Sequence, residues 1–408
     1  MDKANFTNLF EPFDARATRR YQHLRQAART CFAALAIPTA RFEDWRFTNV
    51  APIMQTPFVL PSVARMSAPR GPSEGLRFLV RNGQFAPHWC RVPNGAHIGS
   101  LASANTDLPA LGQIADESGN VFTALNSSLL ADGALVVIPD GMVLDQPIEI
   151  TFNAVAGDRA AICNSRTLIV VGKNAHVTVV ERYVGDGSYF TNAVTEIALS
   201  EGAVLDHVKL QQESTAAYHI ANTQIAMAAK SVFTSHYVSL GGALVRNEVR
   251  VRFDGEYAEA TVNGLYMAQG KQHIDNFTVI DHAQPNCASH ELYKGILDGQ
   301  AHGVFNGKIF VRKDAQKTDA KQTNKVLLLS DDATINTKPQ LEIFADDVKC
   351  THGATIGQLD AAQLFYLQSR GIGLEQARRL LTFAFANDIV NRIKIEAVRD
   401  ELESRIVR

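Results

Sequence analysis

The sequence lacks the features that mark membrane, secreted and nucleotide-hydrolysing proteins. It has no run of about 18 or more apolar residues, so no membrane-spanning helix is expected. Its first residues, Met1 to Asn5, carry no apolar signal core, which indicates a cytoplasmic protein. The sequence contains neither a Gly-x-x-x-x-Gly-Lys-Ser/Thr phosphate loop nor a Rossmann glycine fingerprint after a strand. ATP hydrolysis through a phosphate loop is therefore not expected of this chain.

Cysteine is scarce and charge is nearly balanced. The cysteines are widely spaced and contain no Cys-x-x-Cys pair; they are Cys31, Cys90, Cys163, Cys287 and Cys350. They form neither a disulfide framework nor a self-sufficient zinc or cluster site. The formal net charge of −2 lacks the basic excess that phosphate binding requires. Nucleic acid is therefore not an expected partner.

Strand-like runs dominate the middle of the chain, from about residue 76 to 355. They are rich in β-branched residues and separated by Gly, Asn and Asp turns, as at 134–138, 167–171 and 247–253. No helix of convincing length is expected among them. Uninterrupted β structure of this length is typical of a barrel, a double sandwich or a parallel β-helix. Recurring turn–strand phrases and nearly continuous apolar strands favour stacked parallel coils.

Both ends of the sequence have helical patterns. Apolar positions between 11 and 40 recur at helical spacing up to Pro38. A segment rich in Pro, Ser and Arg, from Pro57 to Gly75, indicates a linker or a loosely packed cover. We therefore predict three parts: an N-terminal helical region and linker at 1–80, a β core at 81–357 and a C-terminal helical domain at 358–408.

The second predicted C-terminal helix, from Leu374 to about Ile395, is apolar on nearly every side between Leu380 and Ala386. A small helical unit cannot bury all sides of such a helix by itself. Two interpretations stay open. One face lies on the β core and another on a partner protein, or three helices form a tight cap without a partner.

The sharpest cluster of reactive residues is Lys349-Cys350-Thr351-His352-Gly353. In a strand, Cys350 and His352 would share a face about 6.6 Å apart along the backbone. Thiolate and imidazole both bind iron, zinc and copper, but a cluster usually takes four ligands. The other ligands would have to come from elsewhere in the fold or from another chain. The alternative is a structural cysteine beside a hydrogen-bonded histidine.

A second cluster contains His282, Cys287 and His290 around a Pro285-Asn286 turn. Such a bend could gather metal ligands. We favour the simpler interpretation, a polar turn flanked by core positions.

Two ordered blocks of sequence carry a family resemblance. The first, Phe305 to Ser330, contains Gly-Lys-Ile-Phe-Val, Ala-Gln-Lys-Thr-Asp-Ala and Leu-Leu-Leu-Ser, and the second runs from Pro339 to Ile372. Both resemble the SufB/SufD family of iron–sulfur cluster assembly proteins. Glu43-Asp-Trp-Arg-Phe-Thr48 and Cys-Thr-His-Gly-Ala-Thr at 350–355 are similar to its SufD branch. SufB-like chains usually have Glu in place of that Gly.

The resemblance implies a mainly β protein, a right-handed parallel β-helix with N-terminal and C-terminal α-helical regions. It implies a non-catalytic scaffold that pairs with SufB through the β core and docks the SufC ATPase through the C-terminal helices. His352 and Cys350 would be ligands of a transient iron–sulfur cluster shared with SufB, and the isolated chain would hold no permanent cofactor. The residues expected to dock the ATPase are Leu380, Leu381, Phe383 and Phe385.

Other interpretations of the same sequence remain. A SufB-type scaffold paralogue would share the fold and the two blocks. A β-helix carbohydrate-active enzyme receives little support from the sequence. The isolated chain could also form a homodimer in place of the heterodimer.

Overall fold

A computed structural model of the chain describes residues 2–61, 75–86, 92–104 and 108–406. The predicted Pro-, Ser- and Arg-rich linker falls mostly outside the described residues, at 62–74, as does Cys90. The described part of the chain is mainly β, with helices toward both ends.

The N-terminal region forms several short helices. They are α1 (Ala4–Thr7), α2 (Phe10–Asp14), α3 (Gln22–Ala34) and α4 (Ala51–Gln55). The helical pattern predicted over 11–40 is thus divided between α2 and α3, and it ends where Leu35 turns extended, before Pro38. Arg25 holds the intervening loop, because its guanidinium donates to the carbonyls of Thr18 and Leu130 at 2.8 and 2.9 Å.

A further helix, α5 (Val121–Ser128), interrupts the strands and contradicts the expected absence of a helix there. The side chain of Asn120 caps it by accepting two backbone N–H groups of its first turn. Every residue of α5 is buried, and Asn126 donates to the carbonyls of Ser165 and Asn192 on two core strands. A helix buried on all sides has no polar face, so its sequence lacks the helical periodicity.

The strands form two sheets. Sheet A contains β3 (His97–Ser100), β4 (Ala134–Ile138), β6 (Ala161–Val171), β8 (Tyr189–Leu199), β10 (Tyr218–Met227), β12 (Leu244–Phe253), β14 (His273–His282), β16 (His302–Val311) and β18 (Thr334–Ile343). Sheet B contains β1 (Leu76–Arg81), β2 (Gln84–Phe85), β5 (Ile148–Val155), β7 (His176–Asp186), β9 (Val204–Glu213), β11 (Val232–Ser239), β13 (Glu259–Ala268), β15 (Ala288–Leu297), β17 (Asp319–Leu328) and β19 (Lys349–Gly357).

Successive coils stack in parallel and in register. Each coil gives one strand to sheet A and the next to sheet B, from β4 and β5 to β18 and β19, which makes eight coils in the described chain. The pairs β1–β2 and β3–β4 are antiparallel, and the other named strand pairs are parallel. The predicted parallel β-helix is confirmed. Its strands face a filled interior and are covered outside, which explains their nearly continuous apolar runs.

One corner of the β-helix is turned by a single left-handed residue per coil. Positive φ angles recur at intervals of 27 to 31 residues, at Asn174, Gly202, Lys230, Tyr257, Asn286 and Lys317. Most of these residues donate their backbone N–H to a carbonyl of the next coil, as Asn174 does to Glu201 at 3.0 Å. The uneven interval explains why the sequence repeat is hard to recognise.

The two outer faces of the β-helix are covered by opposite ends of the chain. The N-terminal helices and α5 pack on sheet A in a cluster that includes Trp45, Phe122 and Phe190. The C-terminal helices pack on sheet B, where Val208 and Leu265 meet apolar side chains of the last two helices. These helices are α6 (Ala361–Ser369), α7 (Leu374–Val390) and α8 (Glu396–Ile406).

The three C-terminal helices occur where the sequence predicts them, although α7 ends at Val390 rather than near Ile395. Strand pairing in the described chain begins at Leu76 and ends at Gly357. The division into three separate parts at 80 and 357 stays a prediction.

Candidate functional site

Cys350 and His352 lie on β19, in the last coil. Strand β19 pairs with β17, in a register that sets Cys350 beside Ala320 and His352 beside Gln322. Ala320 and Gln322 are fully buried in the interior of the β-helix. Because parallel in-register neighbours share a face, Cys350 and His352 belong to the inward face of a coil that no described strand covers.

Burial differs between these two side chains. Cys350 is half-buried and packs against the apolar interior of the β-helix, whereas His352 is exposed. Burial raises the pKa of the Cys350 thiol, and the charge of Asp319 adds to the shift while a backbone hydrogen bond from Ala320 opposes it. The cysteine is therefore held as a thiol, and a metal ion would have to displace its proton.

The described residues do not complete a metal site around this pair. Among them, no group of three or more His, Cys, Asp and Glu side chains is placed to hold a metal ion. An iron–sulfur cluster usually takes four protein ligands. A cluster bound at the last coil would therefore need ligands from outside the described residues.

A buried polar pair, which the sequence analysis did not single out, lies one and two coils below His352. Gln322 donates to the Glu291 carboxylate at 2.7 Å. Burial raises the pKa of Glu291 to about 7, against hydrogen bonds from Gln322 and Thr278 that lower it. Gly307 faces the pair, and a Cβ there would lie 2.3 Å from Nε2 of Gln322. The signal in the sequence was the Gly-Lys-Ile element, whose glycine leaves room for the Gln322 side chain.

The last coil also leaves two strand edges free. Within the described chain, β18 and β19 each have one neighbour only, β16 and β17. No residue of either strand is buried, in contrast to the strands below them. Phe344 and Ile356 are large apolar side chains of this coil that remain exposed, by 58% and 47%. The last coil thus combines free backbone groups, apolar surface and two side chains, a thiol and an imidazole, of types that can bind metal ions.

The four residues predicted to dock an ATPase do not form one exposed surface. Leu380 is exposed and Leu381 is half-buried. Phe383 and Phe385 pack partly against the cluster between the C-terminal helices and sheet B. Lys294 lies 4.4 Å above the ring of Phe385 and also pairs with Asp388 at 2.8 Å. Internal packing therefore accounts for part of the excess apolar surface of α7.

The exposed apolar surface of the C-terminal helices lies mainly elsewhere. Phe365 and Tyr366 on α6 are exposed by 73% and 57%, and Leu374 on α7 by 46%. No residue of α6 is buried. The docking candidates that sequence reasoning missed are therefore on α6, and the motif Leu-Phe-Tyr-Leu at 364–367 was the available signal.

The second cluster of reactive residues is structural. Cys287 is buried and its Sγ donates to the carbonyl of Gly255 at 3.3 Å. The ring of His282 stacks on Phe253 and hydrogen-bonds Ser289, while His290 is exposed. The favoured interpretation, a polar turn between core positions, agrees with this arrangement.

Comparisons with known proteins identify the family. Residues 153–385 match the model of the SUF system FeS cluster assembly SufBD core domain, and residues 3–150 match that of the SufBD protein N-terminal region. The chain is 31% identical to the iron–sulfur cluster assembly protein SufD of Escherichia coli over 97% of this chain and 94% of that protein.

Other relatives agree with this match. A SufBD family protein of Synechocystis is 34% identical over 93% of this chain and 88% of its own length. SufD of Bacillus subtilis is 29% identical over 70% of this chain and 66% of its own length. No helix among the described residues has the length and apolar character needed to cross a bilayer. The chain belongs to the SufBD family of iron–sulfur cluster assembly proteins.

Proposed function

We propose that this chain is a non-catalytic scaffold subunit that assembles iron–sulfur clusters together with a SufB-type subunit and a SufC-type ATPase in the cytoplasm. The observation that carries the proposal is the open last coil, where free strand edges adjoin Cys350 and His352. The nascent cluster is the cargo of this site, held in transit between the two scaffold subunits. No permanent cofactor is proposed for the chain alone.

The free edges suit a partner that brings strands of its own. An uncovered edge offers unpaired N–H and C=O groups, which natural proteins normally cover or blunt. Another β-helix of the same family would present matching edges, and strand addition would extend both sheets. Apolar Phe344 and Ile356 would lose their exposure in the same step. A second copy of this chain is the alternative occupant when the SufB-type subunit is missing.

His352 is the leading ligand candidate of this chain. His352 is exposed at the open end of the β-helix. The half-buried Cys350 holds its proton more tightly than an exposed cysteine does, because burial raises the pKa of its thiol. A partner that covers the last coil would contribute the remaining ligands. In this arrangement His352 binds the cluster from one side. Cys350 also becomes a ligand only if the metal displaces its thiol proton.

The ATPase is proposed to dock on the exposed apolar residues of α6 and on the start of α7. Phe365 and Tyr366 on α6 and Leu374 at the start of α7 are left exposed by internal packing, and Leu380 is exposed farther along α7. Only residues 358–360 separate the end of β19 from the start of α6. A motion imposed on α6 by ATP-driven closure of the ATPase would therefore reach the strand that bears Cys350 and His352.

Co-purification tests the partners. The tagged full-length chain should bring down a SufB-type subunit and an ABC-type ATPase from its native cytoplasm. Phe365→Asp places a charge on the apolar docking surface and should remove the ATPase while keeping the SufB-type subunit. Ala397→Asp, at an exposed position of α8, is the matched control and should keep both.

Point substitution is preferable to truncation after Leu359. Removing α7 and α8 would uncover the apolar outer face of sheet B, including Val208 and Leu265. If the wild-type chain is purified without either partner, the heteromeric scaffold is wrong. If Phe365→Asp retains the ATPase, the docking surface is elsewhere.

The role of His352 has its own test. His352→Ala in the assembled complex should reduce cluster yield, read from visible absorbance and bound iron, without changing complex formation. Thr355→Ala on the same strand should leave the yield unchanged, because Thr355 lies on the outward face. Wild-type cluster yield in the His352→Ala complex would contradict the ligand role.

A further inference from the structure

A chain of hydrogen bonds joins the N-terminal region to the last coil. Oγ1 of Thr48 donates to Oδ2 of Asp275 at 2.5 Å and lies 2.9 Å from Nε2 of His273. Nδ1 of His273 lies 3.1 Å from Nδ1 of His302. Nε2 of His302 lies 2.7 Å from Oδ1 of Asn336. Because Asn336 belongs to β18, the chain ends on the free edge strand of sheet A.

The same N-terminal segment, Glu43–Thr48, reaches β18 at a second point. Glu43 forms an ion pair with Lys338 of β18. Between the two contacts, the Trp45 ring lies 3.8 Å from the Arg246 guanidinium and fixes the segment on sheet A. The segment therefore spans from the middle of the sheet to its last strand. It is one of the two motifs that linked the sequence to the SufD branch, and the proposed function leaves it without a role.

The four hydrogen bonds of this chain together require one proton more than its neutral groups can supply. It has four hydrogen bonds, and the carboxylate of Asp275 and Oδ1 of Asn336 can only accept. Thr48 and two neutral imidazoles supply three protons. All four bonds form together only when the His273–His302 pair carries an additional proton. Without this additional proton, one hydrogen bond is lost, or the Asn336 amide rotates so that its NH2 group faces His302.

The surrounding charges favour that additional proton. Arg246 pairs with Glu248 and Asp275, and these three buried residues carry a net charge of −1. Arg250, which is partly exposed, lies 4.0 Å from Glu248 and offsets part of that charge from the surface. A positive charge on the His273–His302 pair, which reaches Asp275 through Thr48, would offset the remaining negative charge, and unbalanced buried charge is costly. The Glu43–Lys338 pair, which also faces this region, is neutral by itself. Burial lowers the pKa of His273 to about 4, so it disfavours the additional proton on that ring.

We propose that the segment Glu43–Thr48 is a brace that positions the edge strand β18, and that the brace closes fully only when the His273–His302 pair holds its additional proton. The brace sets the register and rigidity of one edge that the partner subunit is proposed to meet. That use rests on the proposed function, whereas the brace itself is a property of the isolated chain. Acidification strengthens the brace and alkaline conditions loosen it.

Hydrogen–deuterium exchange on the isolated full-length chain tests the brace without any partner. Thr48→Val removes the hydroxyl at one end of the chain, and Asn336→Leu removes the acceptor at the other. Each should speed exchange of the β18 amides that bond to β16 by roughly fivefold to tenfold. Thr355→Val, the same change at an exposed position of the other edge strand, should leave β18 unchanged.

The role of the additional proton is tested by measuring the same exchange at two pH values. After correction for intrinsic rates, β18 of the wild type should exchange more slowly at about pH 6 than at about pH 8.5. His302→Phe should abolish that difference, and Asn336→Leu covers the case in which His302→Phe fails to fold. Unchanged β18 exchange in both Thr48→Val and Asn336→Leu overturns the brace. If the exchange of β18 amides in the wild type does not depend on pH, the proposed role of the additional proton is wrong. A chain that shows both effects but purifies without partners refutes only the proposed function.

Discussion

The inner coils and the last coil share one backbone plan and differ in what covers them. In β16 seven of ten residues are buried, whereas in β19 none is. The inward positions of β19 continue the same columns of side chains, yet they carry a cysteine and a histidine at an open end. The inner coils therefore hold the fold together, and the last coil can carry reactive side chains because little stability depends on it.

The largest contrast is expected between two inward histidines. His207 is fully buried between Glu181 at 3.0 Å and Ser235 at 2.8 Å, whereas His352 is exposed. His207→Ala leaves a buried carboxylate without its partner and should lower the free energy of unfolding by about 4 kcal/mol. His352→Ala should change it by less than about 0.5 kcal/mol. Urea denaturation followed by circular dichroism measures both, and equal effects would contradict the division between inner and last coils.

Two inward isoleucines give a smaller contrast of the same kind. Ile280 in β14 is fully buried, and Ile356 in β19 is 47% exposed. Ile280→Ala should cost about 3 kcal/mol through lost transfer energy and a cavity, and Ile356→Ala under about 1 kcal/mol. In the heteromeric complex the second value should rise, because the partner is proposed to bury Ile356. A value that stays the same would argue against strand addition at this edge.

The smallest effect is expected from the buried carboxyl beneath the open coil. The pKa of Glu291 rises from 4.5 to about 7 on folding, chiefly through burial. The folded chain then binds more protons than the unfolded chain between these values, so this residue makes stability fall as pH rises from about 5 to 8. Glu291→Gln should remove about 2 kcal/mol of that pH dependence. Unfolding measured at both pH values checks it, with Glu342→Gln on the surface as control.

The sequence allowed the architecture to be predicted because every coil repeats the same local chemistry. Apolar β-branched strands and Gly, Asn or Asp corners indicated stacked parallel coils. The helix α5 was missed because all its polar residues are buried, and one of them, Asn126, is bonded to strand carbonyls. A pattern of polarity cannot reveal a helix whose polar side chains point into the protein.

The position of the candidate site residues in the fold was only partly predictable from the sequence, and their role as ligands stays a prediction. Alternation correctly put Cys350 and His352 on one face, but it could not show that this face lies at an open end. The supporting pair Glu291 and Gln322 comes from different coils, and the sequence does not show which coils become neighbours. Phe383 and Phe385 were expected on a partner surface, whereas packing against sheet B partly buries them.

The in-register stacking of the coils fixes the length of the β-helix per coil. Each coil raises the chain by about 4.8 Å, the spacing between neighbouring strands. A change in length that preserves the stack must add or remove a whole coil, and any other insertion must bulge out at a corner. The separation between the N-terminal helices and the last coil, where the cluster is proposed to bind, can therefore change only in steps of one whole coil.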